Sequence, residues 1–366
     1  MAEESLVLLK NAGGILPLKS PPRVIAVVGP NADNGDALVG NYNGTPSRPV
    51  TVLAGIRARF AQSKVLYAAG SALVRADKSF NHALQAAQSA DVIVMVAGLS
   101  PRIEGEEMKV HAAGFAGGDR TRLDLPQPQQ HLLARLRSLG KPMVLVLMNG
   151  SALATNWADQ HVPAVVEAWY PGGEGGTAVA ALLAGDFSPA GRLPVTFYKS
   201  VDQLPAFDDY RMSNRTYRYF SGEPLYPFGF GLSYTQFAYS GLKLSSSSMT
   251  PSETLKVSVE VANTGSSEGD EVVQLYLTHR GVAGAPLRAL KGFQRIHLRQ
   301  AERTTVTFEL AGQDLGLVDE SGRHKIPQGP VDVWVGGGQP EMRAGLAAPA
   351  GLKSRFNIAS EALLPD

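Results

Sequence analysis

Two hydrophobic textures divide this chain. Up to residue 200, short apolar runs recur at Val24–Val28, Val65–Ala69, Val92–Ala97, Met143–Met148 and Ala164–Trp169. Runs rich in Val and Ile suit strands buried on both faces of a parallel sheet. Between them, Val52–Phe60, His82–Ala90, Gln129–Leu139 and Thr177–Leu183 are helix-like. In the third of these, Leu132, Leu133, Leu136 and Leu139 fall at helical spacing. Alternation of this kind predicts an α/β open sandwich domain with a mostly parallel sheet and helices on both faces. Gly29-Pro30-Asn31, Gly98, Asn149-Gly150 and Pro171-Gly172-Gly173 follow the strand ends. Ligands of open α/β sheets bind at such carboxyl ends.

Past residue 200 the pattern changes. Asp202–Tyr239 is rich in aromatics, Pro and Gly and reads as a long ordered connector. From Leu242 onward, apolar and polar residues alternate at period two, as in Leu255–Val261, Val272–Leu277, Thr305–Leu310 and Val331–Val335. Turn signals at Asn263-Thr264-Gly265, Gly281–Pro286, Glu320-Ser321-Gly322 and Gly336–Gly338 separate them. Several short strands with one apolar face predict an all-β sandwich of fibronectin or immunoglobulin type. The expected division is an α/β domain at 1–200, a connector at 201–240, an all-β domain at 241–345 and a weakly patterned tail at 346–366.

Composition narrows the chemistry. The chain has 366 residues, 44% hydrophobic and 18% charged, enough for two cores. A net charge of +1 provides no field for nucleic acid or an anionic membrane. With no cysteine there is no disulfide, thiolate metal site or cysteine nucleophile. The seven histidines are scattered, without the spacing of a zinc site, so no metal or cofactor is expected. The longest apolar stretches fall short of a membrane span. Met1–Lys10 has acids where a signal peptide needs basic residues, so the chain as it stands is expected in the cytoplasm.

Val27–Asp33, Val144–Ser151, Glu167–Gly172, Gly185–Pro194 and Tyr226–Thr235, taken in order along the chain, resemble the C-terminal half of family 3 glycoside hydrolases, the β-glucosidases and β-xylosidases. Ser5–Asn11 with Leu16-Pro17-Leu18 resembles the entry to the second domain, and Val27–Asp33 its first strand and loop. Leu123–Pro126 with Gln129-Gln130, then Gly140-Lys141-Pro142 with Val144–Ser151, follow in the family's order. The most distinctive are Glu167–Gly172, Gly185–Pro194 and Tyr226–Thr235, and Ala289–Phe293 is similar to the family's fibronectin type III-like domain. The resemblance implies a division of labour. An N-terminal (β/α)8 barrel carries an aspartate nucleophile, and the α/β sandwich presents the acid/base glutamate on a loop. A barrel takes about 250 residues. The resemblance starts at residue 5, so the chain is expected to lack the barrel, and to form a homo-oligomer or join a barrel-containing partner.

The strand at Val92–Ala97 leads into Gly98–Met108, which holds Glu104, Glu106 and Glu107, and then into Gly114–Gly118 and Asp119-Arg120. Three glutamates within four positions repel one another, and repulsion raises the pKa of at least one carboxyl. A general acid near neutral pH needs a raised pKa. The flanking glycines are expected to let the loop move. By resemblance the acid/base falls on Glu106, with Glu104 as runner-up, and Asp119 and Arg120 are candidates for contact with a sugar. Arg120 also fits a loop-holding ion pair. A retaining enzyme needs a second carboxyl about 5–5.5 Å away and an inverting one about 6.5–9.5 Å. Asn149-Gly150-Ser151 lacks the Gly-X-Ser-X-Gly elbow and reads as a turn. Gly40–Gly44 also reads as a turn.

Three functions compete. The first is exo-hydrolysis of β-glucosides or β-xylosides with a loop glutamate as acid/base, the Ile103–Glu106 context leaning toward xylosidases. The second is a non-catalytic carbohydrate- or protein-binding module. The third is phosphate binding at Gly172–Gly176 before a helix, which lacks the residues of a P-loop.

Overall fold

The computed structural model describes residues 1–105, 108–319 and 321–365. The chain forms two compact units. The first takes in Met1–Arg192, Phe197–Gln203 and Gly231–Tyr234, and the second Leu193–Thr196, Leu204–Phe230 and Thr235–Asp366.

The first unit is built on a six-stranded sheet. Its strands are β1 (Val7–Asn11), β2 (Val24–Val28), β3 (Lys64–Ala68), β4 (Val92–Gly98), β5 (Met143–Met148) and β6 (Ala164–Glu167), in the spatial order β1-β6-β5-β4-β2-β3. Neighbours pair in parallel except the edge strand β1, which runs antiparallel to β6. Every residue of β4, β5 and β6 is buried. Unbroken burial on both faces is why these strands read as continuous apolar runs. Helices α1 (Val52–Arg59) and α5 (Gly175–Ala184) share one core with the sheet, through Leu53, Ile56, Val179 and Leu182. Helices α2 (Phe80–Gln88) and α3 (Gln127–Arg137) pack on β2, β3 and β4. The short α4 (Asn156–His161) is not signalled by periodicity, because six residues make less than two turns.

The second unit is a β-sandwich. One sheet has the order β11-β8-β7, from Phe237–Leu244 (β7), Thr254–Asn263 (β8) and Arg303–Ala311 (β11). The other contains β9 (Gly269–His279), β10 (Ala289–Leu298), β12 (Gly329–Gly336) and β13 (Gly351–Ile358), in the order β13-β12-β9-β10, with Ser248–Met249 added beside β13. Alternate residues of β8 (Leu255, Val257, Val259 and Val261) enter a common core with Val273, Leu275, Val333, Val335 and Phe356. Period-two alternation thus marks strands with one face inward.

Two expected boundaries are corrected. The tail at 346–366 contains β13, which pairs antiparallel along the full length of β12 and buries Phe356 and Ile358. The connector at 201–240 is not a single linker. Residues 204–230 belong to the second unit, while Leu232 returns to the first through its amide on the Leu8 carbonyl (2.8 Å). Among the described residues, no helix is long and apolar enough to cross a membrane.

Helices α1 and α5 cross at bare backbone. A Cβ on Gly55 would lie 2.0 Å from the Gly176 carbonyl oxygen, and one on Gly176 would lie 1.9 Å from that of Thr51. In an exposed helix Gly→Ala gains up to about 1 kcal/mol. Here overpacking should dominate, and Gly55→Ala is expected to lose about 1–3 kcal/mol in urea unfolding. A gain in stability would show that the helices do not touch there.

Candidate active site

The site lies at the carboxyl ends of β4, β5 and β6. Gln129 of α3, wholly buried, pins the end of β4. Its Oε1 accepts from the Gly98 amide (2.8 Å), and its Nε2 donates to the Gly98 carbonyl (2.8 Å) and to the Leu73 carbonyl (2.8 Å). Buried Asn31 holds the next residue, donating from Nδ2 to the Leu99 carbonyl (2.8 Å). A tight turn follows, in which the Ile103 and Glu104 amides both donate to the Ser100 carbonyl.

Glu104 leaves this turn with its carboxylate directed into the protein. Oε2 accepts from the Gly150 amide (2.9 Å) and the Tyr170 hydroxyl (2.6 Å). Oε1 accepts from the Ser151 amide (2.9 Å) and the Ser151 hydroxyl. Asn149-Gly150-Ser151 is therefore a turn, as read, but one whose amides bind a carboxylate. Burial first, and then the charge of Glu104, push the Tyr170 phenol far above its ordinary pKa, so it stays a donor. Arg120 braces the same turn, donating to Ser151 Oγ (3.1 Å), the Ala152 carbonyl (3.2 Å) and the Asp124 carbonyl (3.2 Å). Burial pulls its guanidinium pKa down, while Glu104 and Asp124 pull it up. Asp119, its partner in a two-residue hairpin with Phe115–Ala116, is exposed.

Glu106 and Glu107 lie outside the described residues. The segments on either side of them are tied down, Met108 donating its amide to the Gly117 carbonyl (2.9 Å). Two of the flanking glycines permit close approach. A Cβ on Gly105 would meet Asn41 Nδ2 at 2.6 Å, and one on Gly118 would meet the Gly105 carbonyl at 2.1 Å.

Sequence reading missed two contributors. Asn41 donates to the Glu104 carbonyl (3.0 Å), which brings the Gly40–Gly44 turn alongside the carboxylate loop. Its neighbour Tyr42 has φ +58° and is 93% exposed. A positive φ on a bulky residue is costly and clusters at functional sites. The second contributor, Glu167, sits at the end of β6 with no exposed surface. It accepts from the Trp169 amide (3.0 Å) and from Asn149 Nδ2 (3.2 Å). Burial foremost, with a further push from Glu104, raises its pKa from 4.5 to about 8 against those two hydrogen bonds.

The phosphate-binding reading finds no support at α5. The Gly175 amide donates to the Gly172 carbonyl and the Gly176 amide to the Val50 carbonyl, so these donors are already used. Among the described residues, no group of three His, Cys, Asp or Glu is placed to hold a metal ion.

A hydrogen bond to a charged group contributes about 1.5–3 kcal/mol. Tyr170→Phe removes one of the donors to Glu104 with almost no change of volume. Urea unfolding is expected to show a loss of about that size. A change within about ±0.5 kcal/mol, the range of ordinary surface substitutions, would mean that the Tyr170 hydroxyl does not hold Glu104.

Residues 6–234 match the glycosyl hydrolase family 3 C-terminal domain, and residues 271–339 match the fibronectin type III-like domain. Over 94% of its length the chain is 37% identical to a protein of Salmonella typhimurium named periplasmic beta-glucosidase, of which it covers 48%. It is also 37% identical to a beta-xylosidase of Formosa agariphila, over 92% of this chain and 47% of that protein. A solved β-glucosidase of Erythrobacter marinus superposes with a TM-score of 0.83 at 34% identity, covering 98% of this chain and 49% of that one. The chain thus spans about half the length of the curated relatives it matches. With the matched domain extending over most of the chain, and a fibronectin type III-like domain following it, this protein belongs to glycoside hydrolase family 3.

Proposed function

We propose that the chain is the acid/base-bearing part of a β-glucosidase or β-xylosidase, with Glu106 as the proton donor and Glu104 as the anchor of its loop. The observation that carries this reading is the engagement of Glu104. Both of its oxygens are bound by amides and hydroxyls of the loops after β5 and β6. A carboxylate so occupied suits holding a loop better than shuttling a proton. The division of roles leaves Glu106, two residues on, to protonate the glycosidic oxygen and later to deprotonate water. Arg120, with three bonds to the protein, supports the loop. Exposed Asp119 is the member of that pair free to meet a sugar hydroxyl.

The nucleophile in this reading is an aspartate on a (β/α)8 barrel, supplied by a partner or by a longer form of the protein. The substrate class follows the names of the Salmonella and Formosa relatives, a β-glucosidase and a β-xylosidase. Only carbohydrate is invoked as substrate, and no step needs a cofactor.

The test is a leaving-group series on the chain combined with a family 3 barrel. Glu106→Gln is expected to lower kcat on nitrophenyl β-glucoside and β-xyloside by about 10²–10⁴-fold, the usual contribution of a general acid. Activity should recover on dinitrophenyl glycosides, whose leaving group needs no proton. Glu104→Gln should lose activity on both substrates alike, together with thermal stability. Full activity in Glu106→Gln, or leaving-group rescue in Glu104→Gln instead, would overturn the assignment.

A further inference from the structure

Glu167 and Glu104 hold the same two turns from opposite sides. On the inner side, Glu167 accepts from Asn149 Nδ2 (3.2 Å) and the Trp169 amide (3.0 Å). On the outer side, Glu104 accepts from the Gly150 and Ser151 amides (both 2.9 Å) and the Tyr170 hydroxyl (2.6 Å). Each turn thus presents one residue inward and the next outward. Asn149 also donates from Nδ2 to the Ser151 carbonyl (3.0 Å), which couples the inner contact to the outer one within a single turn. Trp169 sits at φ +59°, a conformation that needs external support in a bulky residue. Its amide bond to Glu167 and its edge-on contact with the Phe197 ring (5.9 Å between centroids) provide that support.

We propose that Glu167 is a positioning residue for the carboxylate loop, fixing from beneath the two turns that grip Glu104. Its side chain is entirely out of solvent. Among the described residues, Glu104 is the charged group that bears on it, and that charge is of the same sign. From the turn after β5 it meets the Asn149 side-chain amide, and from its own segment the Trp169 backbone amide, both neutral. Arg120 donates to Ser151 Oγ and to the Ala152 and Asp124 carbonyls. A buried carboxyl with no counter-ion among the described residues is held as the neutral acid.

The sign of the pH dependence follows. Glu167 keeps its proton to about pH 8 in the fold, against 4.5 for the ordinary carboxyl. Between these values the folded chain binds the extra proton, so stability falls as pH rises through that window. The contribution is complete below the lower value and lost above the upper one. Ionisation also sets a second negative charge against Glu104, across the turns that both carboxyls hold. The catalytic meaning of this coupling rests on the hydrolytic reading above. The coupling itself can be tested on the chain alone, without turnover.

The experiment is a pH titration from 4 to 10 by NMR, following the glutamate side-chain carboxyl carbons and the amides of Gly150, Ser151 and Trp169. Glu167 is expected to titrate near 8, with all three amides moving in the same step. In Glu167→Gln, which keeps an acceptor and mimics the neutral acid, the three amides should hold their low-pH positions and the step should vanish. Thermal stability should then lose its decline between pH 5 and 8. A Glu167 midpoint below 6 would overturn the proposal. So would Gly150 and Ser151 amides that stay still while Trp169 moves, because a carboxyl that merely fills its site would affect only its own donor. If the titration behaves as expected while Glu106→Gln remains fully active, the hydrolytic assignment fails and the positioning role stands.

Discussion

The grip of the protein on the Glu104 carboxylate orders the rest of the site. Removing a carboxylate from water costs several kcal/mol. Hydrogen bonds to a charged group return about 1.5–3 kcal/mol each. One or two donors would leave the group better off in solvent. The two amides and two hydroxyls around Glu104 bring the balance to its favour. Because these donors come from the loops after β5 and β6, the loop after β4 is fixed to both of those loops. A surface glutamate has become a joint between three strand ends.

That joint explains features that would otherwise look unrelated. Tyr170 must remain protonated, and both burial and the neighbouring charge keep it so. Arg120 supplies positive charge beside the anchored anion while spending its donors on the backbone and on Ser151. The Asn41 turn closes over the loop backbone and brings an exposed, strained tyrosine next to it. Beneath, Glu167 gives the donor turns a second, internal point of attachment. The parallel sheet provides the rigid base, since strands buried on both faces leave their ends little freedom.

The central strands were legible in the sequence because burial on both faces forces unbroken apolar runs. The sandwich strands β8, β9, β11 and β12 were legible because one buried face forces alternation. Elements with weaker demands were not. The edge strand β1 is a short apolar stretch next to an acidic one. Strand β13 buries little beyond Phe356 and Ile358, too sparse a signal to separate it from a tail. In the site, the acidic loop was evident from its three glutamates. The burial of Glu104 was not, since its donors lie 46 to 66 residues away in the chain. Glu167 passed as part of an apolar run, yet a lone carboxyl inside a buried strand is itself the signal to look for. Of the motifs that carried the family resemblance, Val144–Ser151 and Glu167–Gly172 supply the donors of the cradle.

The most direct test of this account is a double-mutant cycle between Glu104 and Tyr170, measured by urea unfolding of Glu104→Gln, Tyr170→Phe and the pair. Groups in direct contact show interaction energies of about 0.5–3 kcal/mol. A charged, partly buried contact should lie in the upper half of that range. Additivity within about 0.3–0.5 kcal/mol, as expected of independent sites, would contradict the claim that the carboxylate is what binds the strand ends together.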